Sequence, residues 1–87
     1  MYLHLGSDVV ILKNNILGIF DLDTATISKH TKKYLASAEK NGRVINVSYE
    51  LPKSFVVCVD NGKIYVYISQ LSSQTLNKRF LVSEESL

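Results

Sequence analysis

The chain carries one cysteine, one proline, four glycines and no tryptophan in 87 residues. A lone Cys58 excludes an internal disulfide and fits a reducing compartment. Scarce Gly and Pro, with no low-complexity tract and 46% apolar residues, exclude a disordered or linker-rich chain. Apolar runs such as Val9 to Leu12 and Ile16 to Phe20 fall far short of the roughly 18 to 20 residues of a membrane helix. The opening "MYLHLGSD" has no basic region leading an apolar core, so no signal peptide is expected. Asn46-Val47-Ser48 matches a glycosylation acceptor, which means nothing without secretion. Together these absences predict one soluble cytoplasmic domain over residues 1–87, near the lower end of what folds alone.

Catalytic signatures are missing as well. There is no Walker loop, dinucleotide fingerprint, HExxH or Cys-x-x-Cys. His4 in a strand and His30 on a helix have no ligand-spaced partner, so no metal site is expected. Cys58 alternates with valines, the pattern of a small buried hydrophobe and not of a nucleophile. No serine sits at a sharp turn between glycines. The expectation is a protein that is not an enzyme, without cofactor, small-molecule substrate or membrane partner.

What is present is an uneven distribution of charge. The formal charge is only +2. Residues 29 to 43 nonetheless carry Lys29, Lys32, Lys33, Lys40 and Arg43 against Glu39 alone. The first 28 residues carry Asp8, Asp21 and Asp23 against Lys13. That concentration is the pattern of a basic face.

The element pattern follows from periodicity and punctuation. "YLHL" reads as a first strand ended by Gly6-Ser7-Asp8. "VVILK" and "ILGIFDL" read as strands joined by a tight hairpin at Asn14-Asn15. From Thr26 to Asn41 the period becomes helical, with Ile27, Thr31, Tyr34, Leu35 and Ala38 on one side. Thr24 or Thr26 can cap its start, and Asn41-Gly42 its end. "RVINVSY" alternates as a half-buried strand. "SFVVCVDNGKIYVYIS" is a hairpin on a two-residue Asn61-Gly62 loop, which pairs Asp60 with Lys63, Cys58 with Tyr65 and Val56 with Tyr67. Ser72 or Ser73 opens a short C-terminal helix bearing Leu76 and Phe80, with a frayed acidic end at Glu84-Glu85. The fold class is therefore α+β: a small, mostly antiparallel sheet with hairpins, one main helix and a short C-terminal helix.

The central hairpin is apolar on both faces. One face collects Val57, Val59, Ile64 and Val66; the other Val56, Cys58, Tyr65 and Tyr67. One amphipathic helix covers only one of them. The other must pack on the N-terminal strands or on a second subunit, which makes Val56, Cys58, Tyr65 and Tyr67 candidates for an oligomer interface. An oligomer also gives the lysines a use, because repeated weak phosphate contacts add through multivalency. "ELPKS" sets Lys53 and Ser54 at the start of a strand, and Lys13, Asn14 and Asn15 form a second turn on an expected common rim. Lys32 and Lys33 would serve as auxiliary contacts.

Four segments in order, "MYLHLG", "GIFD" at 18–21, "LPKSFVV" at 51–57 and "LSSQTLNKR" at 71–79, resemble the RemA/RemB family of extracellular matrix regulators. The likeness runs end to end and is closer to the RemB branch. It implies a DNA-binding transcriptional regulator of biofilm matrix genes, associated with the nucleoid and acting as a homo-oligomer, with a ring as the expected form. In the RemA branch the DNA-binding arginines follow the first hairpin and the tyrosine matching Tyr49. Here those places hold Asn15 and Glu50-Leu51-Pro52-Lys53. The expected DNA-contacting set is Lys13, Asn15 and Lys53, with Lys32 and Lys33. The alternative is a protein-interaction or scaffold subunit of the same oligomeric fold, partnering a RemA-type paralogue. Phosphate contacts alone do not separate DNA from RNA, although no aromatic RNA-recognition signature is present.

Overall fold

The computed structural model describes residues 1–23 and 27–82. In chain order the elements are β1 (Tyr2–Gly6), β2 (Val9–Leu12), a 3-10 turn (Lys13–Asn15), β3 (Ile16–Asp21), α1 (Lys29–Lys40), β4 (Val44–Asn46), β5 (Ser54–Asp60), β6 (Lys63–Ser69) and α2 (Ser73–Leu81). They form a two-stranded sheet, β1-β2, and a four-stranded sheet in the order β3-β5-β6-β4. The α+β class holds.

The β5–β6 hairpin is the centre, and its register is the expected one. Asp60 faces Lys63, Cys58 faces Tyr65 and Val56 faces Tyr67. Asn61 and Gly62 both have positive φ, 51° and 74°, as a type I′ turn demands. Helix α1 also ends as expected: Gly42 takes φ 69°, the Gly42 amide donates to Glu39 and the Arg43 amide to the Ala38 carbonyl, a Schellman closure. Its start differs. Ser28 is the cap, its hydroxyl accepting from the Thr31 amide at 3.2 Å, while Thr24 and Thr26 lie outside the described residues. At α2 the cap is Ser72, and the acidic end at Glu84-Glu85 also lies outside the described residues.

Three expectations are corrected. Asn14-Asn15 do not close a β2–β3 hairpin, because β2 pairs with β1, β3 pairs with β5, and the 3-10 turn carries the chain from one sheet to the other. The single sheet expected is two, β1-β2 standing apart from the other four strands; the pairing is mostly antiparallel as expected, with β4 alone parallel to its neighbour β6, Val44 facing Val66 and Asn46 facing Ile68. Tyr34, expected on the packed side of α1, is exposed, and Ala38 with Leu35 makes the contact instead.

Each face of the hairpin has its own core. On one side α1 sets Ala38 against Phe55, Val57 and Val66, with Phe20 stacked on Phe55 at 4.9 Å between centroids. On the other side Val56 and Cys58 pack with Leu3, Leu5 and Ile11 of the N-terminal hairpin and Leu76 of α2. The chain therefore covers its own second face. Val56 and Cys58, expected at a subunit interface, are buried inside the protomer.

Two buried serines join the halves. Ser54 and Ser69 face each other at the end of the hairpin, both fully buried. The Ser69 hydroxyl donates to the Leu5 carbonyl at 2.6 Å and accepts from the Leu71 amide at 3.0 Å. The Ser54 hydroxyl donates to the Leu71 carbonyl at 2.7 Å. Hydroxyls so placed satisfy backbone groups that would otherwise be buried without partners. Ser69→Ala strands both partners and should cost about 1–3 kcal/mol. At about 4–8 °C per kcal/mol for a domain of this size, the melting temperature should fall by at least about 4 °C, read by circular dichroism.

Candidate nucleic-acid interface

The lysines of α1 form a single stripe. At about 100° per residue, Lys29, Lys33 and Lys40 lie within about 40° of one another, and Lys32 about 60° to one side. Ala38, the buried residue that anchors the helix, is on the opposite side. The four lysines are all exposed, and over the helix they span about 16 Å. Packing Ala38 and Leu35 on the sheet is therefore what turns these ammonium groups outward. Lys32 and Lys33, expected as auxiliary contacts, belong to this stripe.

The expected common rim does not form within one protomer. β3 runs antiparallel to β5, with Ile16 opposite Cys58 and Asp21 opposite Ser54. Lys13 and Asn15 precede the first pair, whereas Lys53 sits beside the last, its carbonyl accepting from the Leu22 amide at 3.0 Å. The length of β3, roughly 17 Å, separates them. Ser54 is no rim donor, being spent on Leu71. Lys13 is also engaged: its Nζ donates to the Val82 carbonyl at 2.8 Å and lies 5.8 Å from the Phe80 ring centre. It neutralises the carbonyl end of α2. Asn15 lines a cleft with Asp60, Tyr65 and Tyr67.

Lys53 instead belongs to an exposed loop, Ser48 to Lys53, between β4 and β5. The Val47 amide donates to the Ile68 carbonyl and the Lys53 amide to the Ser69 carbonyl, both at 2.9 Å, so the ends of the loop are pinned to β6. Between them Tyr49 and Leu51 are almost entirely in solvent, beside Lys53. The half-buried strand expected over "RVINVSY" would include Tyr49, but β4 ends at Asn46. Tyr49 lies beyond it, and its position just before the Glu50-Leu51-Pro52 elbow was the available signal.

Of the expected interface residues, Val56 and Cys58 are core, whereas Tyr65 and Tyr67 are half-buried. Burial pushes the Cys58 thiol up to about 12. Tyr67 is raised by burial first, then by Cys58, Tyr65 and Asp60. Among the described residues no three His, Cys, Asp or Glu side chains converge to hold a metal ion. No described helix is long and apolar enough to cross a membrane.

Residues 2–80 match the RemA-like family, described as extracellular matrix regulatory protein A-like. The chain belongs to this family. Within it, the chain is 40% identical over 79 residues to extracellular matrix regulatory protein B of Bacillus subtilis (strain 168), covering 91% of this chain and 89% of the relative. That likeness places it on the RemB branch. In this RemA-like chain the matched region takes in the lysine stripe, the Tyr49 loop and Lys53 together.

Lys13→Ala removes a charged hydrogen bond and a ring contact, so it should cost about 1 kcal/mol, whereas exposed Lys53→Ala should stay within about 0.5 kcal/mol by urea denaturation. Cys58 should resist a thiol reagent at pH 8 until the protein is unfolded. Because its pKa rises on folding, from 9.0 to about 12, its contribution to stability is complete below pH 9 and lost as pH climbs toward 12. A pH–stability profile in urea, compared with Cys58→Ala, reads that loss.

Proposed function

We propose that the protein is a DNA-binding regulator of extracellular matrix genes that works as a homo-oligomer, with α1 as its phosphate-contacting face. The observation that carries the reading is the stripe of Lys29, Lys32, Lys33 and Lys40 directed away from the packed side of α1. Membership of the family and the name of the relative, an extracellular matrix regulatory protein, support the regulatory role. Ammonium groups neutralise phosphates without reading bases, and four per protomer give weak binding. Repetition around an oligomer multiplies the contacts on one duplex. Lys53 adds a cation on the loop where the resemblance sets the family's DNA contacts.

A second reading rests on the same loop. Tyr49 and Leu51 expose apolar surface that a solvated turn has no use for. They suit a subunit that binds a protein, such as a RemA-type paralogue, and leaves DNA contact to it.

The test is DNA binding by anisotropy across a salt series, with mass by light scattering in the same buffers. The expected result is an oligomer whose affinity falls steeply with salt. Lys32→Ala with Lys33→Ala should flatten the log–log slope by about 2 per engaged protomer. An unchanged slope and affinity in that variant overturns the assignment of α1. An oligomer that ignores DNA at low salt favours the second reading.

A further inference from the structure

Away from the lysine stripe, the N-terminal hairpin and the tip of the β5–β6 hairpin enclose a cleft of about 200 Å³. Three tyrosines, Tyr2, Tyr65 and Tyr67, line it together with Asn15, Asp60 and Cys58. The rest of its wall is the apolar strand β2. Among the described residues that line it none is cationic, and Asp60 is the one with a formal charge. Cys58 and Tyr67, with raised pKa values, stay protonated at neutral pH and add none.

We infer that this cleft binds a compact organic cation, a guanidinium or alkylammonium group, with tyrosine faces against it and Asp60 as its counter-ion. Aromatic faces are negative, and a cation within about 6 Å of a ring centre is attracted more strongly as it loses water. The Tyr65 ring already takes one such group: the guanidinium carbon of Arg43, which does not line the cleft, lies 5.9 Å from its centre. Lys63 faces Asp60 across the hairpin turn but is likewise absent from the wall. The size is selective too. Sites for drug-sized ligands run to about 300–1,000 Å³, whereas a cavity of about 150 Å³ holds benzene. This cleft suits a group the size of one side chain. Carboxylate and ring faces together reject phosphate, so the cleft and the lysine stripe attract opposite charges.

The same cation can come from two sources, a free amine or the Arg or Lys side chain of a second copy. The second source rests on the oligomer proposed above; the chemistry of the cleft does not.

The experiment is an NMR titration of the full chain with N-acetyl-arginine amide and N-acetyl-lysine amide, with the uncharged N-acetyl-citrulline amide as control. Saturable shifts are expected at Asn15, Asp60, Tyr65 and Tyr67, with a dissociation constant on the order of 1 mM. The citrulline compound should bind at least about tenfold more weakly. Asp60→Asn keeps a turn-forming residue at an exposed site, so it should fold and yet lose affinity about tenfold. Tyr67→Phe keeps the ring and should stay within about twofold of the parent. Citrulline binding as well as arginine, shifts confined to other surfaces, or an unaffected Asp60→Asn would overturn the inference. Light scattering at saturating arginine amide then separates the sources. A fall in mass identifies the second copy's side chain as the resident cation, and an unchanged mass identifies a free amine. DNA binding measured on the same samples tests the proposed function separately, because Asp60 and the tyrosines of the cleft lie outside the lysine stripe.

Discussion

Everything in this fold answers to a sheet that is apolar on both faces. With Val57 and Val66 on one side and Val56 and Cys58 on the other, the β5–β6 hairpin needs two covers at once. Helix α1 supplies the first. The N-terminal hairpin and α2 supply the second, and the buried Ser54–Ser69 pair ties that second layer to the sheet through Leu5 and Leu71. Three pieces of chain that share no local signal are held together by apolar burial, which has no direction, and by hydroxyls, which do.

The two covers also sort charge. Anchoring α1 through a residue as small as Ala38 holds the helix close to the sheet and leaves its other sides to lysine. The opposite layer is closed by tyrosines, and at its rim Asp60 stands beside Tyr65 and Tyr67. A chain of net charge +2 thus presents a cationic face and a cation-attracting cleft, which net charge alone could not show.

The parts legible in the sequence are those fixed by neighbours along the chain. Asn61-Gly62 selects a two-residue turn, and a period of two carries the register along the hairpin from Asp60–Lys63 to Phe55–Ile68. Asn41-Gly42 ends α1 because glycine accepts a left-handed conformation. The parts that were not legible depend on partners far away. Asn14-Asn15 looks like a hairpin turn, yet the strands on either side of it find different sheets. "VIN" does not reveal that its partner is β6 or that the pairing is parallel. The supposed rim of Lys13 and Lys53 required the direction of β3 against β5. Burial of Val56 and Cys58 depends on the N-terminal hairpin and α2 meeting on the same face, and apolar alternation alone is equally compatible with a subunit interface there.

That return has a kinetic meaning. Ser69 reaches Leu5 across 64 residues, and Lys13 reaches Val82 across 69. The α1 side of the sheet assembles from segments closer together in sequence, but the second core closes between opposite ends of the chain. Long closures cost entropy before their contacts repay it. The second core therefore carries the larger closure cost of the two. During synthesis the N-terminal hairpin is ready to cover Val56 and Cys58 before α2 is made, so a chain stopped before Leu76 leaves that core incomplete and part of its apolar surface open.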